Sequence, residues 1–61
     1  MKVYTVDEVA KQLKLNPETI RVYIRGGDLQ ASYIGKSYRI TEEDLVEFIE
    51  AHKIKEDKNN V

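Results

Sequence analysis

The chain has 61 residues, enough for one small domain, and its 41% hydrophobic and 34% charged content is that of an ordinary globular protein. With no cysteine it has neither a disulfide framework nor a thiolate metal site, and no run approaches the roughly 20 apolar residues of a membrane span. The net charge of −1 argues at first against a nucleic-acid partner, but the charges are unevenly distributed. Residues 1–40 carry seven cations against four acids, and residues 41–61 carry three cations against seven acids. An acidic C-terminal third masks a basic body, as expected of a molecule with one face for phosphates and another turned away. The start, Met1 to Thr5, has no apolar signal core behind its single lysine, so a cytoplasmic protein is expected.

The first element is a helix predicted over about residues 6–13. Thr5 and Glu8 have the spacing of a capping box, in which each side chain bonds the other's backbone amide. Tyr4 stands where it can staple onto Val9, and Val6, Val9, Ala10 and Leu13 form one apolar stripe. Lys14-Leu15 is then a tight turn. Such a turn commonly needs a left-handed residue, so either Lys14 takes a positive φ at a cost of order 1 kcal/mol or the turn has another geometry.

A second helix follows at once. Asn16 is a favoured N-cap and Pro17 suits the first helical position, where its missing N–H costs nothing. Ile20, Tyr23 and Ile24 share one face, while Glu18, Arg21, Val22 and Arg25 fall on or towards the opposite side. Gly26-Gly27 ends the helix, because glycine takes the left-handed C-terminal conformation without strain. A short helix with two arginines displayed away from its core, joined by a tight turn to the helix before it, is the pattern of a DNA recognition helix.

Beyond Asp28 the period changes to two. Ser32-Tyr33-Ile34 and Tyr38-Arg39-Ile40 read as a hairpin about Gly35-Lys36-Ser37. Pairing Ile34 with Tyr38 across a three-residue loop places Ile34, Tyr38 and Ile40 on one buried face, with Tyr33 and Arg39 outside. A two-residue Gly35-Lys36 loop is the competing register, and the apolar pattern favours the first. Thr41 then caps a third helix, predicted over about residues 42–53, with Glu42, Glu43 and Asp44 in its first turn where the dipole favours acids. Leu45, Phe48, Ile49 and His52 are expected along its inner face. Residues 1–54 are therefore read as one domain and 55–61 as a polar, frayed tail.

The fold expected is mainly α with a small β-hairpin: a winged helix-turn-helix in the order helix, helix, hairpin wing, helix. Thr5-Val6-Asp7-Glu8-Val9-Ala10, Asn16-Pro17-Glu18-Thr19-Ile20-Arg21, Gly27-Asp28-Leu29, Ile34 through Ile40 and Glu43-Asp44-Leu45 together resemble the excisionase family. Its members are MerR-like winged helix-turn-helix domains of mobile elements and phages. The resemblance covers about residues 4–50, and it departs from the family at Lys14, where glycine is usual.

The resemblance implies that Arg21, Val22 and Arg25 enter a major groove and that Lys36, Ser37 and Arg39 of the wing approach phosphate or the adjacent minor groove. It also implies a nucleoid-associated recombination directionality factor, with an integrase or recombinase as protein partner. Residue chemistry agrees on the DNA. Arginine bonds guanine O6 and N7 bidentately, Val22 suits a thymine methyl, and Thr19 at the helix start can hold a phosphate. Glu18 repels phosphates but can accept from cytosine N4. The chain lacks the long coiled-coil helix of larger MerR-type regulators, so monomers placed head-to-tail on DNA are expected rather than a two-fold dimer.

Other residues have plainer readings. Tyr23 and Tyr38 are expected in the core, whereas Tyr33 suits a packing residue and a groove contact equally. His52 has no partner at metal-ligand spacing and is read as covering the core edge. The acids at 42–44 are a helix-start turn, and no nucleophile-base set or glycine-rich phosphate loop is present. No enzymatic activity, cofactor, metal, membrane contact or small-molecule substrate is expected. Two alternatives to the excision role stand: a small MerR-like transcription regulator, and a protein-interaction adaptor using the acidic third helix (Glu43, Glu47, Glu50).

Overall fold

A computed structural model describes residues 1–54; the tail expected at 55–61 lies outside the described residues. The elements are β1 (Val3–Tyr4), α1 (Val6–Leu13), α2 (Pro17–Arg25), β2 (Ser32–Ile34), β3 (Ser37–Thr41) and α3 (Glu42–Ala51). They form a winged helix-turn-helix: three helices and a small antiparallel sheet of order β1-β3-β2.

Each helix starts where its capping residue stands. Thr5 Oγ1 accepts from the Glu8 amide at 3.1 Å while the Glu8 carboxylate accepts from the Thr5 amide at 2.9 Å, completing the expected box. Asn16 Oδ1 accepts from the Glu18 amide at 2.9 Å. Thr41 and Asp44 repeat the reciprocal pair at 3.1 and 3.2 Å. α1 and α2 also close alike. Lys14 lies at φ 59°, ψ 44°, and the Leu15 amide donates to Ala10 O at 2.8 Å, the Schellman closure that glycine usually serves. Lys14 thus takes the positive φ that the tight turn requires. At the end of α2, Asp28 N reaches Tyr23 O at 2.9 Å, and only Gly27 is left-handed, at φ 88°; Gly26 stays near helical.

The structure departs from the sequence reading at three points. The wing pairs Ile34 with Ser37, Tyr33 with Tyr38 and Ser32 with Arg39, so its loop is the two-residue Gly35-Lys36. Both loop residues have positive φ, 62° and 66°, the type I′ geometry whose twist matches that of the strands. This register leaves Ile34 60% exposed and puts Tyr33 on the same strand face as Tyr38, their rings edge-on at 5.3 Å. Turn geometry and the tyrosine pair outweigh the burial of one isoleucine. Second, β1 was not anticipated, because two residues carry no periodicity; it pairs Tyr4 with Ile40 and Val3 with Thr41. Third, α3 stops at Ala51, two residues early, and Ile49 and His52 are exposed instead of lining the core. His52 packs its ring on Phe48 at 4.3 Å, with Nδ1 2.8 Å from Phe48 O, and so covers the core edge.

The core draws on every helix and on the central strand: Val6, Val9 and Ala10 from α1, Ile20 from α2, Ile40 from β3, Leu45 and Phe48 from α3. Leu29, in the segment between α2 and the wing, is also fully buried. Tyr23 is pinned edge-on against Phe48 at 5.0 Å. Since Ile20 and Tyr23 fix the inner face of α2, its other side is held outward, next to the wing.

Candidate nucleic-acid interface

The outward side of α2 carries the residues that the sequence singles out. Val22 is 54% exposed, and the Arg25 side chain is 52% exposed. Thr19 is half-buried in the first turn. All three interface arginines were expected to be exposed; that holds for Arg25, whereas Arg21 and Arg39 are half-buried. Arg21 is sheltered because it lines the cleft between α2, the start of α1 and the wing.

Glu18 gathers the two arginines of the helix. Its Oε1 accepts from Arg21 Nη1 at 3.3 Å and its Oε2 from Arg25 Nη2 at 3.0 Å. The Arg25 hydrogen bond, opposed by desolvation and joined by the hydrogen bond and charge of Arg21, holds the Glu18 carboxyl below the usual carboxylate range. The carboxylate therefore stays ionised at neutral pH, and the three charged groups of this face sum to one positive charge.

The wing brings its polar residues to the same place. Arg39 Nη1 donates to Ser37 Oγ at 3.2 Å, as alternate residues of one strand face can. Lys36 stands exposed at the hairpin tip. Arg21 of α2 and Lys36, Ser37 and Arg39 of the wing all line one cleft of about 500 Å³. Tyr33 and Tyr38 line it too, with Thr5, Val6 and Asp7 from the start of α1. Its wall carries three cations against one carboxylate, Asp7, so it favours an anion. Glu18, Thr19, Val22 and Arg25 lie outside the cleft, along the exposed flank of α2. Sequence reasoning missed the contribution of Thr5 and Asp7, because capping explains Thr5 and a first-turn acid explains Asp7, which leaves no remainder to interpret.

A tight two-helix unit, with an outward polar helix and a basic wing beside it, is the layout of a winged helix-turn-helix. A family model described as a helix-turn-helix domain matches residues 3–53. The chain belongs to the helix-turn-helix domain family. This is a family of DNA-binding domains that includes excisionase-like proteins. Comparison with the curated proteins and with the solved structures gives no match. In this helix-turn-helix domain α2 takes the place of the recognition helix and the β2–β3 hairpin that of the wing. No helix among the described residues is long and apolar enough to cross a membrane.

Proposed function

We propose that the protein is a non-enzymatic, sequence-specific binder of double-stranded DNA. The observation that carries this reading is the shared cleft: Arg21 of the recognition helix stands with Lys36, Ser37 and Arg39 of the wing about one space that favours anions. With α2 in a major groove, Arg21 and Arg25 face guanine O6 and N7, Val22 a thymine methyl, and Thr19 a flanking phosphate. Lys36, Ser37 and Arg39 take the phosphates or the minor groove alongside. A module this small neutralises few phosphates, so its affinity for a single site is modest and falls with salt.

Within that class we favour a recombination directionality factor that binds near the attachment site of a mobile element and assists an integrase. The membership of excisionase-like proteins in the same domain family supports it. Copies bound head-to-tail on direct repeats supply the affinity that one module lacks. A small transcription regulator would use the same contacts.

Salt-titrated binding to random duplex fragments, followed by sequencing of the retained sites, tests the reading. A short recovered motif is the expected result, with Arg21→Ala weakening its binding by about 1–3 kcal/mol without unfolding. No retention above background at low salt would reject it and leave the acidic surface of α3 as the working face.

A further inference from the structure

Glu18 is out of place on a surface meant for a polyanion. Its side chain is 61% exposed and touches no core residue by hydrogen bond, and Asn16 and Pro17 already start the helix. Exposed ion pairs of this kind contribute little to stability. The helix dipole favours an acid in this first turn, as it does at 42–44, but it asks for no particular partners. The partners follow from position in the helix. At 100° per residue, Arg21 and Arg25 lie 60° and 20° round the helix from Glu18, one and two turns along, so the three form a single file. Each carboxylate oxygen engages a different guanidinium, at 3.3 and 3.0 Å.

We infer that Glu18 is a specificity-determining positioning residue: it tethers Arg21 and Arg25 along one file of α2 and withholds them from indiscriminate phosphate contact. This inference rests on the DNA-binding reading above. A guanidinium has five N–H donors, and each arginine gives Glu18 only one of its NH2 groups. The remaining donors stay available for the edge of a guanine. What is lost is freedom. A lone arginine on a flexible stem swings to whichever phosphate is near, and such contacts supply sequence-independent affinity. A tethered guanidinium does so only by giving up its ion pair, and the carboxylate itself repels the backbone. Glu18 thus weakens binding to every duplex and weakens it least where base edges meet the arginines as they are held. The consequence is a larger ratio of specific to random affinity.

The experiment uses the full chain, with Glu18→Gln and the double variant Glu18→Gln/Arg25→Gln, on the selected site and on a random duplex of equal length across a salt series. Thermal melting is recorded alongside. Under the inference, E18Q binds random duplex about tenfold tighter, and its slope of log affinity against log salt steepens by about one, the signature of one further phosphate contact. Affinity for the selected site gains less, so the ratio falls several-fold. The double variant, with the wild-type charge on this face, returns the random affinity and slope towards wild type. Loss of folding lowers both affinities and cannot mimic that gain. Unchanged or lower random affinity in E18Q, with wild type still selecting a motif, overturns the inference alone. A loss of preference confined to one cytosine position also overturns it, in favour of a direct base contact. Wild type that binds no duplex at low salt overturns the DNA-binding reading and this inference together.

Discussion

Lys14 is the residue at which sequence chemistry and fold disagree most. It sits at φ 59° because the Schellman closure of α1 needs a left-handed residue there, and its side chain is exposed. Lys14→Gly removes the steric cost of that conformation, of order 1 kcal/mol, against a smaller loss from greater unfolded-state freedom. A higher melting temperature, by up to several degrees for a domain of this size, is the expected outcome in a thermal scan. Lys14→Ala, which keeps a Cβ, should give no comparable rise. Glu18 offers a second measurement at this scale. Its carboxyl is held low chiefly by Arg25 and then by Arg21, so the tether is complete above the ordinary carboxylate range and is lost as pH falls through the lowered folded value. Carboxyl-carbon NMR titration should show the Glu18 midpoint rising in both Arg25→Ala and Arg21→Ala, and further in the former. Equal midpoints in wild type and both variants would deny the tether.

At the scale of elements, the helices and the wing obey different masters. Thr5, Asn16 and Thr41 each bond a first-turn amide, so the starts of all three helices were legible from cap residues and their spacing. The wing was not. Its register turned on a choice between an apolar pattern and a turn type, and the paired positive φ of Gly35 and Lys36 decided it. Lys36 bears the strained side of that turn. Lys36→Gly should therefore raise thermal stability by up to about 1 kcal/mol. On the proposed interface it should also flatten the salt dependence of DNA affinity by about one unit of slope, since one phosphate contact is removed. A stabilised variant with unaltered salt slope would detach the wing tip from phosphate.

At the scale of the whole molecule, the described residues are held by eight buried apolar side chains drawn from α1, α2, β3, α3 and one connecting segment. Leu29 is the least expected of them, since it follows Gly27 and Asp28 outside any regular element and is still only 1% exposed. Truncating such a side chain costs about 2–5 kcal/mol, comparable with the whole stability of a domain this small. Leu29→Ala should accordingly be largely unfolded near 37 °C by circular dichroism, whereas Val22→Ala, at an exposed position, should melt like wild type. A folded Leu29→Ala would show that the segment after α2 is not part of the cooperative unit.

Local chemistry by itself determined the three helices, their starts, the tight turn between the first two and the outward placement of Arg25 and Val22. Caps, glycine at Gly27 and helical periodicity act within a few residues, so the sequence displays them directly. Only the tertiary structure decided the rest. It added β1 to the sheet, since two residues are a strand only when β3 is there to pair with them. It set the wing register, buried Leu29 and drew Arg21, Arg39 and Lys36 around one cleft with the start of α1. Those outcomes depend on contacts between residues far apart in the chain, whose energies no local spacing records.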